Sequence, residues 1–251
     1  YPVSNSRLAA FKRSPAHLIQ YLTEDKIQTP AMAFGSAFHA ALLEPDQYAT
    51  LYAIAPDVDR RTKEGKLEYD RFVYEAEDKT VISASDAAKI SAMLLSIHSN
   101  SIANELLSAC NKFEQEFNWT NQETGLEMRG IIDAIGPDFI LDVKTTTNAD
   151  PRPFQSDIFR NSYHRQGAIY LDAINANFHI DYYIIAIEKD APYGVSVHRL
   201  DQQTLESGRK LMTDQLFEYR QWVEAGMPNA SYEYWHYAGI YDVELPNWMK
   251  V

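Results

Sequence analysis

Hydrophobic positions along the chain follow two rhythms in turn. Up to about residue 110 they recur at helical spacing: Leu8 and Phe11, then Tyr21-Leu22, then Gly35, Phe38, Leu42 and Leu43, then Ile90, Met93, Leu94 and Ile97. Ser4 or Ser6, Ser14-Pro15 and Thr29-Pro30 precede the first three helices with N-cap chemistry. Ile102 to Cys110 adds a short helix. From Lys112 the rhythm changes to two. Lys112 to Thr120 predicts a half-buried strand with Phe113, Phe117 and Trp119 on one face and Glu114 and Glu116 on the other. Leu126–Ile135 and Phe139–Thr147 predict two strands joined by the turn Gly136-Pro137-Asp138. Ile131, Ile132, Ile140, Leu141 and Val143 predict burial on both faces there. A helix over about Phe154–Ala176 follows, then a hairpin of Asp181–Glu188 and Val195–Leu200. Asp201 caps a long amphipathic helix through Leu205, Leu211, Leu216, Tyr219 and Trp222, stopped by Gly226.

These elements predict an α/β protein with a central mixed sheet of about five strands flanked by helices. One domain fits a length of 251 residues. Its parts would be a mainly helical stretch over 1–110, a sheet core over 111–200, and a helix with an aromatic tail over 201–251. The tail, Tyr232–Val251, is dense in Tyr and Trp outside any helical pattern, which suggests a packed extension or a subunit contact. Asp57–Asp70 lacks apolar periodicity and reads as a surface loop. It carries the densest positive charge in the chain, at Arg60, Arg61, Lys63 and Lys66, and is read equally well as a phosphate contact or an ordinary basic loop.

Charge interrupts the two most apolar strands. Asp133 follows Ile131-Ile132, while Asp142 and Lys144 share one face of the next strand. Counted from the turn, Asp133 comes nearly level with Asp142. Such a group is a solvated face, a structural ion pair or a metal site. Buried like charges repel, and a divalent cation relieves them. A lysine beside such a site can hold a water, deprotonate it, or stabilise an anionic transition state. His39, on an apolar helix face, is by itself more often a core histidine than a ligand.

Gly130-Ile131-Ile132-Asp133, Asp142-Val143-Lys144 and Gln166-Gly167-Ala168-Ile169-Tyr170, with an upstream histidine, resemble the G-x-x-D, D-x-K, Q-x-x-x-Y signature of RecB-like PD-(D/E)xK nucleases. The segment Met32–Pro45 is similar to that of phage exonucleases of the RecE (exonuclease VIII) type, and the resemblance covers nearly the whole chain. It implies a restriction-endonuclease-like core. It also implies Mg²⁺ or Mn²⁺ held by His39, Asp133, Asp142 and the Val143 carbonyl, with Lys144 assisting the attacking water. Gln166 and Tyr170 would contact the DNA strand, and Glu114, favoured over Glu116, would add an acidic group. Activity would be 5′–3′ exonucleolytic on ends of linear duplex, in phage-type recombination beside a single-strand annealing protein. The enzyme would be a ring-shaped homo-oligomer in the cytoplasm of a bacterial or phage-infected cell. A structure-specific endonuclease, a non-catalytic DNA-binding relative and a protein-interaction domain are the alternatives.

Composition narrows this. The single cysteine, Cys110, excludes an intrachain disulfide or a cysteine-ligated cluster. No apolar run of about 18 residues predicts a membrane helix, and the start YPVSNSRL lacks signal-peptide character. A start at Tyr1 suggests a segment of a longer protein. A net charge of −12 argues against indiscriminate nucleic-acid binding, so positive charge must be gathered locally, as around the passage of a ring.

Overall fold

Short polar side chains set where the helices begin. The computed structural model describes residues 2–24, 29–175 and 180–231. Ser4, Ser14 and Thr29 accept hydrogen bonds from Arg7, His17 and Met32 main-chain N–H groups and start α1 (Asn5–Arg13), α2 (Pro15–Thr23) and α3 (Pro30–Leu43). Next come α4 (Pro45–Leu51), β1 (Tyr52–Ile54), α5 (Lys63–Glu75), β2 (Thr80–Ile82), α6 (Ala84–Ser99) and α7 (Ser101–Ala109). The sheet core follows as β3 (Lys112–Thr120), β4 (Glu127–Ile135), β5 (Phe139–Thr146), α8 (Pro151–Arg160), α9 (Tyr163–Ala173), β6 (Asp181–Glu188) and β7 (Val195–Leu200). The long α10 (Gln202–Glu224) comes last. No helix among the described residues is long and apolar enough to cross a membrane.

The sheet has the order β3-β4-β5-β6-β7. Only β5 and β6 run parallel, connected through α8 and α9; the other neighbours are antiparallel. Each face carries its own core. One joins Ile132, Ile140, Tyr182 and Ile184 to α1, α9 and α10. The other joins Leu141, Val143, Ile185 and Ile187 to α3 and α6. A buried guanidinium ties the first layer together. Arg165 Nε donates to Asn5 Oδ1 (3.0 Å) and Nη1 to Gln215 Oε1 (2.5 Å), which links α9 to α1 and α10.

Several expectations change. Asp57–Asp70 is not wholly a loop: Thr62 caps α5 through Gly65 N–H, and the helix takes up Lys63 and Lys66. Its weak apolar pattern reflects exposure, since Leu67 and Tyr74 face solvent. The helix expected over Phe154–Ala176 is two helices, divided where Ser162 takes a left-handed backbone (φ 57°). A two-stranded parallel sheet of β1 and β2 was not anticipated, because each strand has three residues. Ile131 is 41% exposed rather than buried. The aromatic tail from Tyr232 lies outside the described residues.

The pairing of β4 with β5 is short. Register pairs occur only at Ala134–Leu141 and Ile135–Ile140, next to the turn. Beyond them the strands part as a fork. Val3 enters it: its N–H donates to Glu127 O (2.6 Å) and its carbonyl accepts from Arg129 N–H (2.8 Å). The α9–α10 contact is equally close, because a Cβ on Gly208 would lie 2.1 Å from the His164 carbonyl oxygen. Gly208→Ala should therefore lower stability by about 1–3 kcal/mol through overpacking. Urea denaturation measures this, and an unchanged midpoint would refute the contact.

Candidate active site

One rung of the sheet is broken. Phe113 pairs with Ala134 and Gln115 with Ile132, but Glu114 and Asp133 between them do not pair, and the register resumes without offset. Glu114 has a left-handed backbone (φ 47°) inside a strand. Side-chain alternation resets there on both strands. Phe113 and Ala134 join the α3–α6 core, whereas Phe117, Trp119 and Ile132 join the α1–α10 core. The expected common face of Phe113, Phe117 and Trp119 is thus corrected. Alternation presumes an unbroken strand, and a positive φ violates it.

The broken rung delivers both carboxylates to His39 on α3. His39 Nδ1 lies 3.9 Å from Glu114 Oε1 and 3.8 Å from Asp133 Oδ2. One ligand atom from each of the three fits within a 4.8 Å span. Asp133 Oδ2 also accepts Val143 N–H at 2.8 Å, which fixes the carboxylate across the fork. The three side chains open into a cavity of about 510 Å³ with Met32, Glu44 and Ile131. One nitrogen and two carboxylate oxygens suit a small divalent cation, with manganese favoured by the imidazole. Burial opposes a charged His39, yet the Glu114 hydrogen bond and the Asp133 charge outweigh it and raise its pKa above 6.5.

Asp142 and Lys144 are brought together behind this group. Lys144 Nζ is 2.6 Å from Asp142 Oδ2, off the direction of a well-formed hydrogen bond, so charge holds the pair. Burial pushes the Asp142 carboxyl up, to about 6, against the opposing Lys144 ammonium and with help from Asp133. Burial disfavours the Lys144 ammonium, but Asp142 and Asp133 outweigh it and its pKa is raised. Lys144 Nζ also sits 5.1 Å from the Tyr163 ring centre.

Gln166 and Tyr170, both buried, form a pair in which Gln166 Nε2 donates to the Tyr170 hydroxyl at 2.8 Å. A Cβ on Gly130 would lie 3.1 Å from Tyr170 Cε1, so this glycine admits the tyrosine to the sheet. Two elements of the sequence signature are therefore one contact.

Glu114, not Glu116, belongs to the cluster. Glu116 is drawn to the exposed side by Arg129 at 2.8 Å. Arg60, Arg61 and Lys63 are exposed. Arg60 lies 4.0 Å over the Tyr69 ring and lines a separate cavity. Glu44 was missed. It lines the cluster's cavity, and its carboxyl is raised by burial and by the charge of Glu114. Its only sequence signal is its place just past the helix that carries His39.

Two outcomes follow. Glu114→Gly should be more stable than Glu114→Ala by about 1 kcal/mol, because glycine accepts a positive φ; equal melting temperatures would deny the strain. Manganese affinity, followed by calorimetry, should fall as pH drops from above 6.5, since protonated His39 cannot ligate and its pKa is raised. His39→Gln should bind more weakly at neutral pH and lack that pH step.

Residues 4–232 match the family model described as a PDDEXK-like domain of unknown function (DUF3799). Among solved structures, a candidate exonuclease from Eubacterium rectale superposes with a TM-score of 0.61 at 10% identity, covering 98% of this chain and 91% of that one. The structure of SSO0001 gives a TM-score of 0.32 at 14% identity, over 75% of this chain and 85% of that one, too low to carry an argument. No curated protein matches the chain.

Proposed function

The chain belongs to the PDDEXK-like domain family of unknown function (DUF3799), and on that premise we propose that it is a divalent-metal-dependent DNA nuclease. The observation that carries this is the triad of His39, Glu114 and Asp133 at an open cavity, backed by the Asp142–Lys144 pair. Crowding two carboxylates against a histidine, one of them on a left-handed residue, is costly unless a cation occupies the cavity.

The residues divide the work. His39, Glu114 and Asp133 would hold a cation, and Asp142 approaches from the next strand. Bound there, the ion would offset charge on the scissile phosphate and lower the pKa of a bound water. Asp133 is pinned by Val143 N–H, so little reorganisation accompanies ligation. Lys144 keeps its proton at neutral pH because its pKa is raised. This favours donation to water or phosphate over proton abstraction. Tyr170 accepts from Gln166 and retains its own O–H to orient a phosphate oxygen.

The finer reading is an exonuclease acting 5′–3′ on linear duplex in recombination, with Mg²⁺ or Mn²⁺. The similarity of Met32–Pro45 to RecE-type enzymes supports it. A closed ring is the assembly proposed with it: the net charge of −12 requires positive charge to be collected around the DNA. Light scattering tests the ring, and a monomer on DNA would exclude it.

End-labelled linear duplex should be degraded with magnesium or manganese and spared with chelator, while closed circles survive. Cutting of circles would favour an endonuclease. Asp133→Ala and Asp142→Ala should each abolish cleavage while keeping the wild-type circular dichroism spectrum. Lys144→Ala should still bind metal and DNA but lose about 10²–10⁴-fold in turnover. Normal turnover at saturating metal would make the lysine structural.

A further inference from the structure

Charge alone does not decide where the Lys144 ammonium points. Nζ lies 2.6 Å from Asp142 Oδ2, but off the direction of a well-formed hydrogen bond. Coulomb attraction sets a distance and leaves direction open, and lysine is a point charge on a flexible stem. A second contact supplies the direction. Tyr163, the first residue of α9, turns its ring face to the ammonium with the ring centre 5.1 Å from Nζ. That is within the range at which an aromatic quadrupole attracts a cation. Tyr170 and Tyr182 also feel the charge of Asp142. Among the described residues, Tyr163 is the ring that faces the ammonium.

The sequence spacing puts it there. Tyr163, Gln166 and Tyr170 are spaced i, i+3, i+7 and share one stripe of α9. Gln166 and Tyr170 border the fork, and the same stripe brings Tyr163 over the end of β5 where Lys144 stands. The ring is itself held. It packs on Phe154 of α8 with ring centres 6.3 Å apart, and Asn161 Nδ2 donates to its hydroxyl at 3.4 Å. Between these two grips the chain turns at the left-handed Ser162. A ring that merely packed α8 against α9 would affect stability and leave Lys144 alone, so the two roles are separable by experiment.

We infer that Tyr163 is a positioning residue whose ring face holds the Lys144 ammonium in the direction from which it donates to water or phosphate. The inference rests on the nuclease reading above and adds the group on which the contribution of Lys144 to turnover depends.

The test measures cleavage of end-labelled linear duplex in magnesium. Phenylalanine at position 163 keeps the ring face. Its mono-, di- and trifluoro derivatives keep the shape while draining that face of negative charge. The rate should be preserved by Tyr163→Phe and fall stepwise along the fluorinated series, to about a tenth at three fluorines. Melting temperature and duplex affinity in calcium should stay constant along the series. Tyr163→Leu should lose about tenfold in kcat with KM unchanged. In the Lys144→Ala background the same replacement should cost nothing further, because its effect passes through the ammonium. A flat fluorinated series, a loss in Tyr163→Phe as large as in Tyr163→Leu, or a Tyr163→Leu loss undiminished beside Lys144→Ala would each overturn the positioning role and leave the nuclease standing. Wild-type protein that cuts no DNA with any divalent cation would remove both readings.

Discussion

Like charge held close in a poorly solvated place is the constraint on which this structure turns. Glu114, Asp133 and Asp142 arise on three neighbouring strands at one level of the sheet. Repulsion and lost hydration both disfavour that gathering. Each carboxylate is managed differently. Asp142, fully buried, is given Lys144. Asp133 is given a main-chain N–H. Glu114 is turned outward by a backbone conformation that costs about 1–2 kcal/mol. What remains uncompensated faces the cavity, where an incoming cation gains most.

Small residues allow large ones to reach this level. Gly130 makes room for Tyr170, and a Cβ on Gly167 would lie 3.5 Å from the Tyr182 ring. Helix α9 thereby approaches the sheet closely enough for Gln166 and Tyr170 to border the fork. The same helix is anchored from behind by Arg165, whose guanidinium is satisfied by neutral oxygens alone. Burial without a carboxylate partner lowers its pKa, to about 10, still far above neutrality.

Much of this was legible in the sequence because it depends on local chemistry. Caps, the Gly136–Asp138 turn and the apolar strands give the element order, and spacing from the turn gives the common level of Asp133 and Asp142, with Lys144 on the same face as Asp142. The broken rung was not legible. Alternation makes Glu114 and Glu116 equivalent, and only a positive φ, which no residue type there announces, separates them. The division of α8 from α9 failed for the same reason, at Ser162. Ile131 looks like core in the sequence, since composition cannot show which apolar residue of a strand faces solvent.

Val3 has a consequence for how the site comes into being. It borders the fork by pairing with Met128, far along the chain, while Asn5 is held by Arg165 and, through it, by Gln215. Closure over such separations comes late in folding, because the chain entropy is lost before the contacts repay it. During synthesis the residues around Val3 are made before the partners they pair with. Until α10 is in place the fork has no settled wall. A chain in which α10 has not yet docked would therefore carry its carboxylates without a finished cavity.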